Sequence, residues 1–338
     1  MKAYVLHGIN DLRYEEVQQP DCLEGWAIVK VKAAGICSSD IPRIFVKGTY
    51  HFPTIPGHEF AGIVERVGAP EDEFLIHRHV GVFPLIPCRK CQQCHERHYE
   101  MCEHYDYLGS RRDGGFAEYV AVPTWNLVDL DETIPFTHAA MLEPLSVALH
   151  AMKIAGVADR SRVGIVGTGM IGICAAQWAK SMGAKQVVVM GRNEQKRSLV
   201  HNCGLDYLNS ADNDCTGMFD IVLEAVGTPQ AIQQAINASA PSGKIVLMGN
   251  PASDIVMQQD VYWRILRKQL SISGTWNSSY DGMNPSDWTD AVEALRNGQV
   301  IVDPLISHQF EQQQLSDGLD IMMKHNEPFC KVMTVWNN

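Results

Sequence analysis

The sequence predicts an α/β protein in two parts: a β-rich region over the first 150 residues, then a doubly wound parallel sheet. Three observations carry this prediction. Early segments such as residues 27–32 and 62–67 alternate apolar and polar side chains between turns rich in glycine and proline, as β-strands do. Beyond residue 150, short apolar runs alternate with helical patterns, as in parallel sheets. The length of 338 residues accommodates about two domains.

The elements after residue 150 follow one another regularly. Apolar strand patterns lie at residues 163–166, 186–190, 221–223, 244–248 and 270–273. The first is followed by a helical pattern that runs to Met182, and the second by a helix predicted over residues 193–203 and capped by Gly204. A helix at residues 288–296 and a last strand at residues 331–335 complete the prediction.

The composition excludes several classes of protein. Hydrophobic residues make up 46% and charged residues 20% of the chain, which is typical of a folded protein and not of a disordered one. The 28 Lys and Arg against 39 Asp and Glu give a formal charge of −11, which disfavours nucleic acids and anionic membranes as partners. The apolar segment at residues 163–179 is interrupted by glycines and is too short to span a bilayer.

The ten cysteines are predicted to be reduced thiols or metal ligands. The first residues show no signal-peptide pattern, so a cytoplasmic location is expected, and a chain of this size needs no disulfides for stability. Four of them, Cys88, Cys91, Cys94 and Cys102, lie in a charged and aperiodic region at residues 84–115. Four thiolates at such short spacings bind tetrahedral Zn²⁺, and a site with four protein ligands is closed. We therefore expect a structural zinc site.

A glycine-rich motif directly follows the first strand of the predicted parallel sheet. It reads G-x-G-x-x-G and opens the next helix. Gly167 permits a tight turn, Gly169 lets the backbone approach a pyrophosphate, and Gly172 lets the helix pack against the strand. The N-terminus of that helix, with Met170 and Ile171, supplies N–H donors for phosphates. The motif therefore predicts dinucleotide binding, the alternative being a strand–helix turn without a ligand.

The end of the second strand of that sheet indicates which dinucleotide binds. NAD-binding proteins carry an acidic residue there, about 20 residues beyond the start of the motif, for the adenosine ribose hydroxyls. Here Gly191 and Arg192 occupy the position, with Arg197 further along the next helical pattern. A missing carboxylate and an added arginine favour a 2′-phosphate, so NADP is predicted, with NAD as the alternative. The other interpretation of Gly191 and Arg192 is a solvated turn.

Cys37 and the pair His58-Glu59 form a second candidate metal site. They lie in predicted loops of the β-rich region, each close to a glycine. A single cysteine or histidine is more often a core residue than a ligand. Thiolate, imidazole and carboxylate together, however, are the ligands of catalytic zinc, which keeps one coordination position open. We therefore expect a catalytic zinc site here.

The order and spacing of these motifs resemble the zinc-dependent medium-chain alcohol/polyol dehydrogenases. The similarity rests on G-H-E-x2-G-x5-G at residues 57–68, the preceding cysteine loop, the four-cysteine region and G-x-G-x-x-G, and it covers essentially the whole chain. It implies a GroES-like β-barrel catalytic domain over residues 1–148 and 275–338, with a structural zinc lobe at about residues 84–115. A Rossmann NAD(P)-binding domain over residues 149–274 is inserted between the two catalytic segments.

The resemblance also implies roles for individual residues. Cys37 and His58 match zinc ligands of the family, and Glu143 matches the carboxylate of its polyol branch that takes the place of a second cysteine. Glu59 is implied to support these ligands or exchange with them, and Ser39 matches the hydroxyl that begins a proton relay. Gly249 is implied to contact the cofactor, and Trp276 is implied to contact the substrate.

Three arginines stand out against the acidic background of the chain. Arg43, Arg111 and Arg112 flank loops expected to face the catalytic zinc, where they would bind a phosphate or carboxylate at the far end of a sugar alcohol. The alternative for each is a surface salt bridge. The resemblance implies that the chain transfers a hydride between a secondary alcohol of a polyol or polyol phosphate and NAD(P), as a homodimer or homotetramer.

Other functions fit the same residues. One is a hexonate or unphosphorylated polyol dehydrogenase of the idonate or sorbitol type, in which the arginines meet a carboxylate or no charged group. A zinc-free quinone reductase of the same fold is another, and it predicts no loss of zinc when Cys37 or His58 is replaced. A non-catalytic NADP-binding regulator is a third, and it predicts cofactor binding without any substrate-dependent change in NADPH absorbance.

Overall fold

Both ends of the chain contribute to one unit of the molecule, and the segment between them forms most of the other. The structure, a computed structural model, describes residues 1–337. The first unit, here called the β-rich unit, comprises Met1–Glu143, Ser279–Asn297 and the chain from Ile306 on. The second, the parallel-sheet unit, comprises Pro144–Ser278 and Gly298–Leu305.

The strands are numbered along the chain. In the first 150 residues they are β1 Lys2–Gly8, β2 Asp11–Glu16, β3 Trp26–Ile36, β4 Glu59–Val67, β5 His79–Val82, β6 Leu85–Ile86, β7 Asp106–Tyr107, β8 Tyr119–Pro123 and β9 Leu127–Asp129. The later strands are β10 Arg162–Val166, β11 Gln186–Gly191, β12 Asp206–Asn209, β13 Phe219–Glu224, β14 Ser239–Leu247, β15 Ser271–Gly274, β16 Ile306–Glu311 and β17 Lys331–Val335.

The helices are numbered in the same way. They are α1 Asp40–Pro42, α2 Gln92–His95, α3 Phe136–Ala139, α4 Leu142–Ala155, α5 Met170–Ser181, α6 Arg197–Asn202, α7 Pro229–Ala238, α8 Gln259–Lys268, α9 Asp287–Arg296 and α10 Leu315–Lys324. A single π-helical turn, Arg43–Lys47, continues α1. Among residues 1–337, no helix is both long and apolar enough to cross a membrane.

The β-rich unit is built on a sheet whose centre is the long strand β3. The order is β16-β17-β3-β4-β5-β9, and β8 also pairs with β3. Both β4 and β17 run antiparallel to β3, so the end of β3 meets the start of each. Alternate side chains of β3 enter a core that includes Val29, Phe60, Phe116 and Trp336. This pairing brings segments that are distant in sequence to the residues that follow Ile36.

The parallel-sheet unit has the strand order β12-β11-β10-β13-β14-β15, with every neighbouring pair parallel. The order changes direction after β10, the first strand in sequence, and ligands of doubly wound sheets bind at such a switch point. Val166, Phe219 and Ile245 belong to its apolar core. The predicted doubly wound sheet is confirmed.

One predicted helix begins later than its pattern suggested. The helix expected over residues 193–203 is an α-helix only at Arg197–Asn202. The side chain of Asn193 accepts the backbone N–H of Gln195, and a 3₁₀ turn at Glu194–Lys196 follows it. Because an asparagine side chain competes for backbone donors, it favours a turn before the helix proper.

Candidate active site and metal centres

Cys37, His58 and Glu59 come together at the end of β3. Cys37 directly follows that strand, and Glu59 begins β4, where it pairs with Gly35. One donor atom from each of the three side chains lies within 4.8 Å of the others, and His58 and Glu59 are buried. A thiolate, an imidazole and a carboxylate at this separation fit the ligand preferences of Zn²⁺.

Asp40 orients the imidazole of His58. It is fully buried, accepts the Cys37 backbone N–H through Oδ2 at 2.9 Å, and places Oδ1 3.4 Å from His58 Nδ1. Burial opposes ionisation of Asp40, but His58 and Arg43 hold its pKa below the usual range. A carboxylate on Nδ1 fixes the tautomer and leaves Nε2 of His58 for a metal, as at many zinc sites.

Ser39 and Arg43 lie beside the same cluster. The Ser39 hydroxyl donates to Cys37 Sγ at 3.2 Å and accepts from Arg43 Nη1 at 2.8 Å. Arg43 Nη1 also lies 3.3 Å from Asp40 Oδ1. Burial opposes the charge of Arg43, yet Asp40 and Cys37 raise the pKa of this guanidinium. A permanent positive charge therefore stands next to the hydroxyl expected to relay a proton.

Glu143 lies close to the cluster but outside the compact group of three donors. It is the second residue of α4, and its Oε1 accepts a hydrogen bond from Tyr107 Oη at 3.3 Å. Burial raises the pKa of Glu143 to about 7, although His58 acts in the opposite direction. The ring of Tyr107 packs 5.7 Å from that of His58.

Glu59 is held by a lysine from the other end of the chain. Lys331, the first residue of β17, forms an ion pair with Glu59 Oε2 and donates to the Ile36 carbonyl at 3.2 Å. Both side chains are buried. Burial opposes the charge of Lys331, but Glu59 raises its pKa above the usual range. This buried ion pair gives Glu59 a counter-charge from a strand that is distant in sequence.

Four thiols of the short-spaced cysteine group converge at a separate place in the same unit. The Sγ atoms of Cys88 and Cys94 lie 3.9 Å apart, and so do those of Cys91 and Cys102. Sulfur atoms bound to one zinc at about 2.3 Å are separated by about 3.8 Å in a tetrahedron. The backbone N–H of Lys90 leads the effects that lower the pKa of Cys88 to about 6, whereas burial raises the pKa of Cys94 to about 12.

The glycine-rich motif forms the turn from β10 into α5. Gly167 has φ +123°, a conformation that L side chains rarely adopt. A Cβ at Gly172 would lie 2.2 Å from the Gly167 carbonyl oxygen, so the helix approaches the strand only because this residue is glycine. A Cβ at Gly169 would meet open space. The turn therefore has the close packing and the open N-terminal face that a bound pyrophosphate requires.

The end of β11 carries the residues expected to select the dinucleotide. Gly191 is buried, and a Cβ there would lie 2.5 Å from Thr168 Cγ2. Arg192 is exposed and forms no ion pair with any residue in the described part of the chain. Arg197, in contrast, pairs with Glu194 and stacks 4.9 Å from the centre of the Tyr207 ring.

Two other residues of the predicted cofactor and substrate set lie in the parallel-sheet unit. Gly249 follows β14 and packs against Gly227, where a Cβ on Gly249 would be 2.0 Å from the Gly227 nitrogen. Trp276 follows β15 and is 57% exposed. The position of neither residue, taken alone, identifies the molecule that it binds.

Arg111 and Arg112 do not join Arg43 at the cluster. The Arg111 guanidinium lies between the rings of Tyr50 and Tyr105, 4.2 and 4.4 Å from their centres. Arg112 donates through Nε to Asp106 at 2.7 Å. Both arginines line a cavity of about 580 Å³ whose described lining contains none of the four candidate catalytic ligands. Of the three predicted arginines, only Arg43 contacts those ligands.

Sequence reasoning missed three residues of this centre: Asp40, Tyr107 and Lys331. Asp40 had a local signal, because it is an acidic residue three positions after a candidate ligand thiol in an otherwise short loop. Tyr107 and Lys331 had none, since only the folded strands bring them to His58 and Glu59.

Comparison with known proteins identifies the family. The alcohol dehydrogenase GroES-like domain matches residues 23–132, and the zinc-binding dehydrogenase domain matches residues 171–297. Galactitol 1-phosphate 5-dehydrogenase of Escherichia coli (strain K12) is 33% identical over 83% of this chain and 84% of its own length. The chain belongs to the zinc-dependent medium-chain dehydrogenases and is an oxidoreductase. The predicted combination of a GroES-like domain with a Rossmann domain is thereby confirmed.

Solved structures agree with this assignment. The crystal structure of galactitol-1-phosphate dehydrogenase from Escherichia coli has a TM-score of 0.92 at 31% identity, covering 99% of this chain and 100% of that one. A zinc-binding dehydrogenase of Sinorhizobium meliloti 1021 bound to NADP has a TM-score of 0.89 at 26% identity, covering 99% of this chain and 98% of that one. An alcohol dehydrogenase (rspB) of Escherichia coli CFT073 complexed with NADH has a TM-score of 0.90 at 25% identity, covering 99% of each chain. The family thus uses zinc and a nicotinamide cofactor.

Proposed function

We propose that the chain oxidises a secondary alcohol of a polyol phosphate, chemically like galactitol 1-phosphate, with NADP as hydride acceptor. The observation that carries the proposal is the donor group of Cys37, His58 and Glu59, beside which Ser39 and the cationic Arg43 lie. The similarity to a galactitol 1-phosphate 5-dehydrogenase supports the substrate class. An unphosphorylated polyol or a hexonate is the alternative substrate.

We assign the catalytic zinc to Cys37, His58 and Glu143, with Glu59 as a supporting or exchangeable ligand. The structural zinc is assigned to Cys88, Cys91, Cys94 and Cys102, whose sulfur separations support a closed tetrahedral site. Zinc bound at the catalytic site supplies a Lewis acid that lowers the pKa of a coordinated hydroxyl.

Ser39 is proposed to accept the proton of the substrate hydroxyl and to release its own proton outward to solvent water. A relay group must accept one hydrogen bond and donate another, and Ser39 Oγ does both within reach of Cys37. Since arginine has no acceptor and keeps its proton, Arg43 does not extend the relay. Its charge instead favours an anionic oxygen beside Ser39, which lowers the energy of the deprotonated alcohol.

We propose that Arg111 contributes more to recognition of a substrate phosphate than Arg43 or Arg112, because Asp40 already engages Arg43. Arg111 forms no ion pair with any described residue, and two tyrosine rings fix its guanidinium in place. The charge of Arg112 is already partly neutralised by Asp106. Trp276 stays a proposed substrate contact on the basis of the resemblance.

We propose that the parallel-sheet unit binds NADP through the Gly167–Gly172 turn, with Gly249 as a further backbone contact. The 2′-phosphate is assigned to Arg192, because its exposed guanidinium has no carboxylate partner among residues 1–337. Arg197 has a smaller role, since Glu194 already engages it.

A substrate panel tests the proposed function. The purified enzyme is assayed with galactitol 1-phosphate, galactitol, sorbitol and idonate, and its zinc content is measured alongside that of a Cys37→Ala variant. We expect kcat/KM for galactitol 1-phosphate to exceed kcat/KM for each of the other three substrates by at least about tenfold. One charge-assisted contact to the phosphate accounts for a factor of that size. Equal kcat/KM values with and without phosphate would overturn the phosphate assignment. A Cys37→Ala variant that keeps all its zinc would overturn the catalytic site.

We also propose that the enzyme is a cytoplasmic homodimer or homotetramer. In the parallel-sheet unit, β15 is an edge strand, and Ile272 on it is 41% exposed. Trp263 and Leu266 of α8 are likewise 46% and 54% exposed. An edge strand beside exposed apolar side chains supports self-association. Light scattering coupled to gel filtration measures the mass, and a monomer at all concentrations would contradict the proposal.

A further inference from the structure

Tyr107 contacts two of the residues assigned above to the catalytic metal. Its hydroxyl donates to Glu143 Oε1 at 3.3 Å, and its ring packs on His58 with 5.7 Å between ring centres. We infer that Tyr107 is a positioning residue of the metal centre: it anchors one oxygen of Glu143 so that the other oxygen serves as the ligand atom. This inference rests on the proposed assignment of Glu143 as a zinc ligand.

The backbone holds Tyr107 firmly in place. Its strand β7 pairs with β6, where Tyr107 lies opposite Leu85. On its other side, the Tyr107 carbonyl accepts the backbone N–H groups of Ser110, Arg111 and Arg112 at 3.3, 2.9 and 3.1 Å. A side chain whose backbone is fixed from both directions, and whose ring is packed against His58, presents its hydroxyl in a defined direction.

Each of the two carboxylates near the metal position has its own partner. Lys331 engages Glu59 through a buried ion pair, whereas Tyr107 engages Glu143 through a neutral hydroxyl. An ammonium group competes with a metal ion for the electrons of a carboxylate more strongly than a neutral hydroxyl does. The Tyr107 hydroxyl therefore leaves Glu143 the less engaged of the two carboxylates, although a donor atom of Glu59 lies in the compact group with Cys37 and His58.

The hydroxyl matters because a carboxylate that ligates through one oxygen leaves the second oxygen in need of a donor. Glu143 lies in the first turn of α4, and the donor observed at its carboxylate is Tyr107. Without this donor the second oxygen loses its hydrogen bond, and the carboxylate is free to leave the ligating rotamer. Loss of such supporting hydrogen bonds commonly weakens metal binding by about 10- to 100-fold.

The test is Tyr107→Phe in the full-length enzyme, which removes the hydroxyl and keeps the ring against His58. Tyr105→Phe is the matched control, because it makes the same change in a ring 6.2 Å away. Zinc affinity is measured by competition with a chelator, and the class of zinc lost in Cys37→Ala is assigned to the catalytic site. We expect Tyr107→Phe to weaken that class by about 10- to 100-fold and to change the visible spectrum of the Co²⁺-substituted site. Tyr105→Phe is expected to change neither.

A double-mutant cycle tests whether the Tyr107 hydroxyl acts on zinc binding through Glu143. If Tyr107 acts through Glu143, Tyr107→Phe has no further effect on zinc affinity in a Glu143→Ala background. The same loss in both backgrounds, or unchanged zinc affinity and Co²⁺ spectrum in Tyr107→Phe alone, overturns the inference. Retention of the four-cysteine zinc in every variant shows that the unit has folded. If Cys37→Ala and Glu143→Ala leave zinc content unchanged, the proposed catalytic site fails, which is a different result from failure of the Tyr107 inference alone.

Discussion

Arg192 is the residue on which the proposed preference for NADP depends. It stands at the end of β11, exposed and without an ion-pair partner in the described chain, while nearby Arg197 is paired with Glu194. A free guanidinium binds a phosphate without first breaking an existing ion pair, whereas a paired one gains less. The two arginines therefore provide a matched pair for mutagenesis.

We expect Arg192→Ala to raise the KM for NADP by about 10- to 100-fold, the loss of one charge-assisted contact, with little effect on NAD. Arg197→Ala should change the NADP/NAD ratio much less. Steady-state kinetics with both cofactors measure this. An unchanged ratio in Arg192→Ala would remove the argument for a 2′-phosphate site.

Candidate metal ligands at close sequence spacing could be predicted to converge, whereas residues that contact them from distant segments could not be predicted. Cys88, Cys91 and Cys94 are three residues apart, and that spacing alone indicates one site. Lys331 follows Glu59 by 272 residues, so no window of sequence connects them. Arg112 shows the opposite problem: its charge indicated a site for a substrate phosphate or carboxylate, but Asp106 of β7 neutralises part of that charge.

At the scale of elements, the parallel strands were the easiest part to predict. Buried parallel strands are continuous apolar runs, and β10, β11, β13 and β14 each contain one. The β-rich unit was harder, since its sheet joins β3 to β17 across almost the whole chain. Sequence alternation shows that such strands exist, but it does not show which strands pair.

The pair Arg162–Asp220 links β10 to β13 at the centre of the parallel sheet. Arg162 donates through Nη2 at 2.6 Å and through Nε at 3.1 Å, and its backbone N–H reaches the same carboxylate at 3.0 Å. The hydrogen bonds from Arg162 lower the pKa of Asp220. A carboxyl group whose pKa is lower in the folded chain stabilises the fold above its unfolded pKa, and this stabilisation is lost as the pH falls through the folded value.

We expect Asp220→Asn to lower the midpoint of thermal unfolding by about 1–3 °C at pH 7, a modest amount because both side chains are about two-fifths exposed. The difference in unfolding midpoint between the variant and the parent enzyme should shrink as the pH falls from about 5 towards 3. Over that range Asp220 of the parent becomes protonated and loses its charge, as the variant has already done. Calorimetry at several pH values measures it, with Asp254→Asn in an exposed loop as control. A difference that does not depend on pH would contradict the assigned cause.

At the scale of the whole molecule, the metal and nucleotide chemistries lie in separate compact units. Both cysteine-containing metal clusters belong to the β-rich unit, and the Gly167–Gly172 turn belongs to the parallel-sheet unit, which has its own apolar core. None of the residues of that turn is a candidate metal ligand. The chain has a net charge of −11, and single arginines such as Arg43 and Arg192 provide local positive charge within it.

We expect removal of the catalytic zinc by a chelator to abolish turnover while the Kd for NADPH changes by less than about twofold, because no residue assigned to the cofactor is also assigned to the zinc. Fluorescence titration of NADPH before and after chelation measures the Kd, and zinc analysis confirms which metal has left. Cofactor affinity that disappears together with the zinc would show that the two sites are coupled.

The contact between Lys331 and Glu59 has a consequence for the order of events during biosynthesis. Glu59 enters a buried position early in the chain, but its counter-charge arrives 272 residues later. A folding chain therefore completes this ion pair only after β17 has been made. The four cysteines, gathered within fifteen residues, can bind zinc while synthesis of the later strands continues.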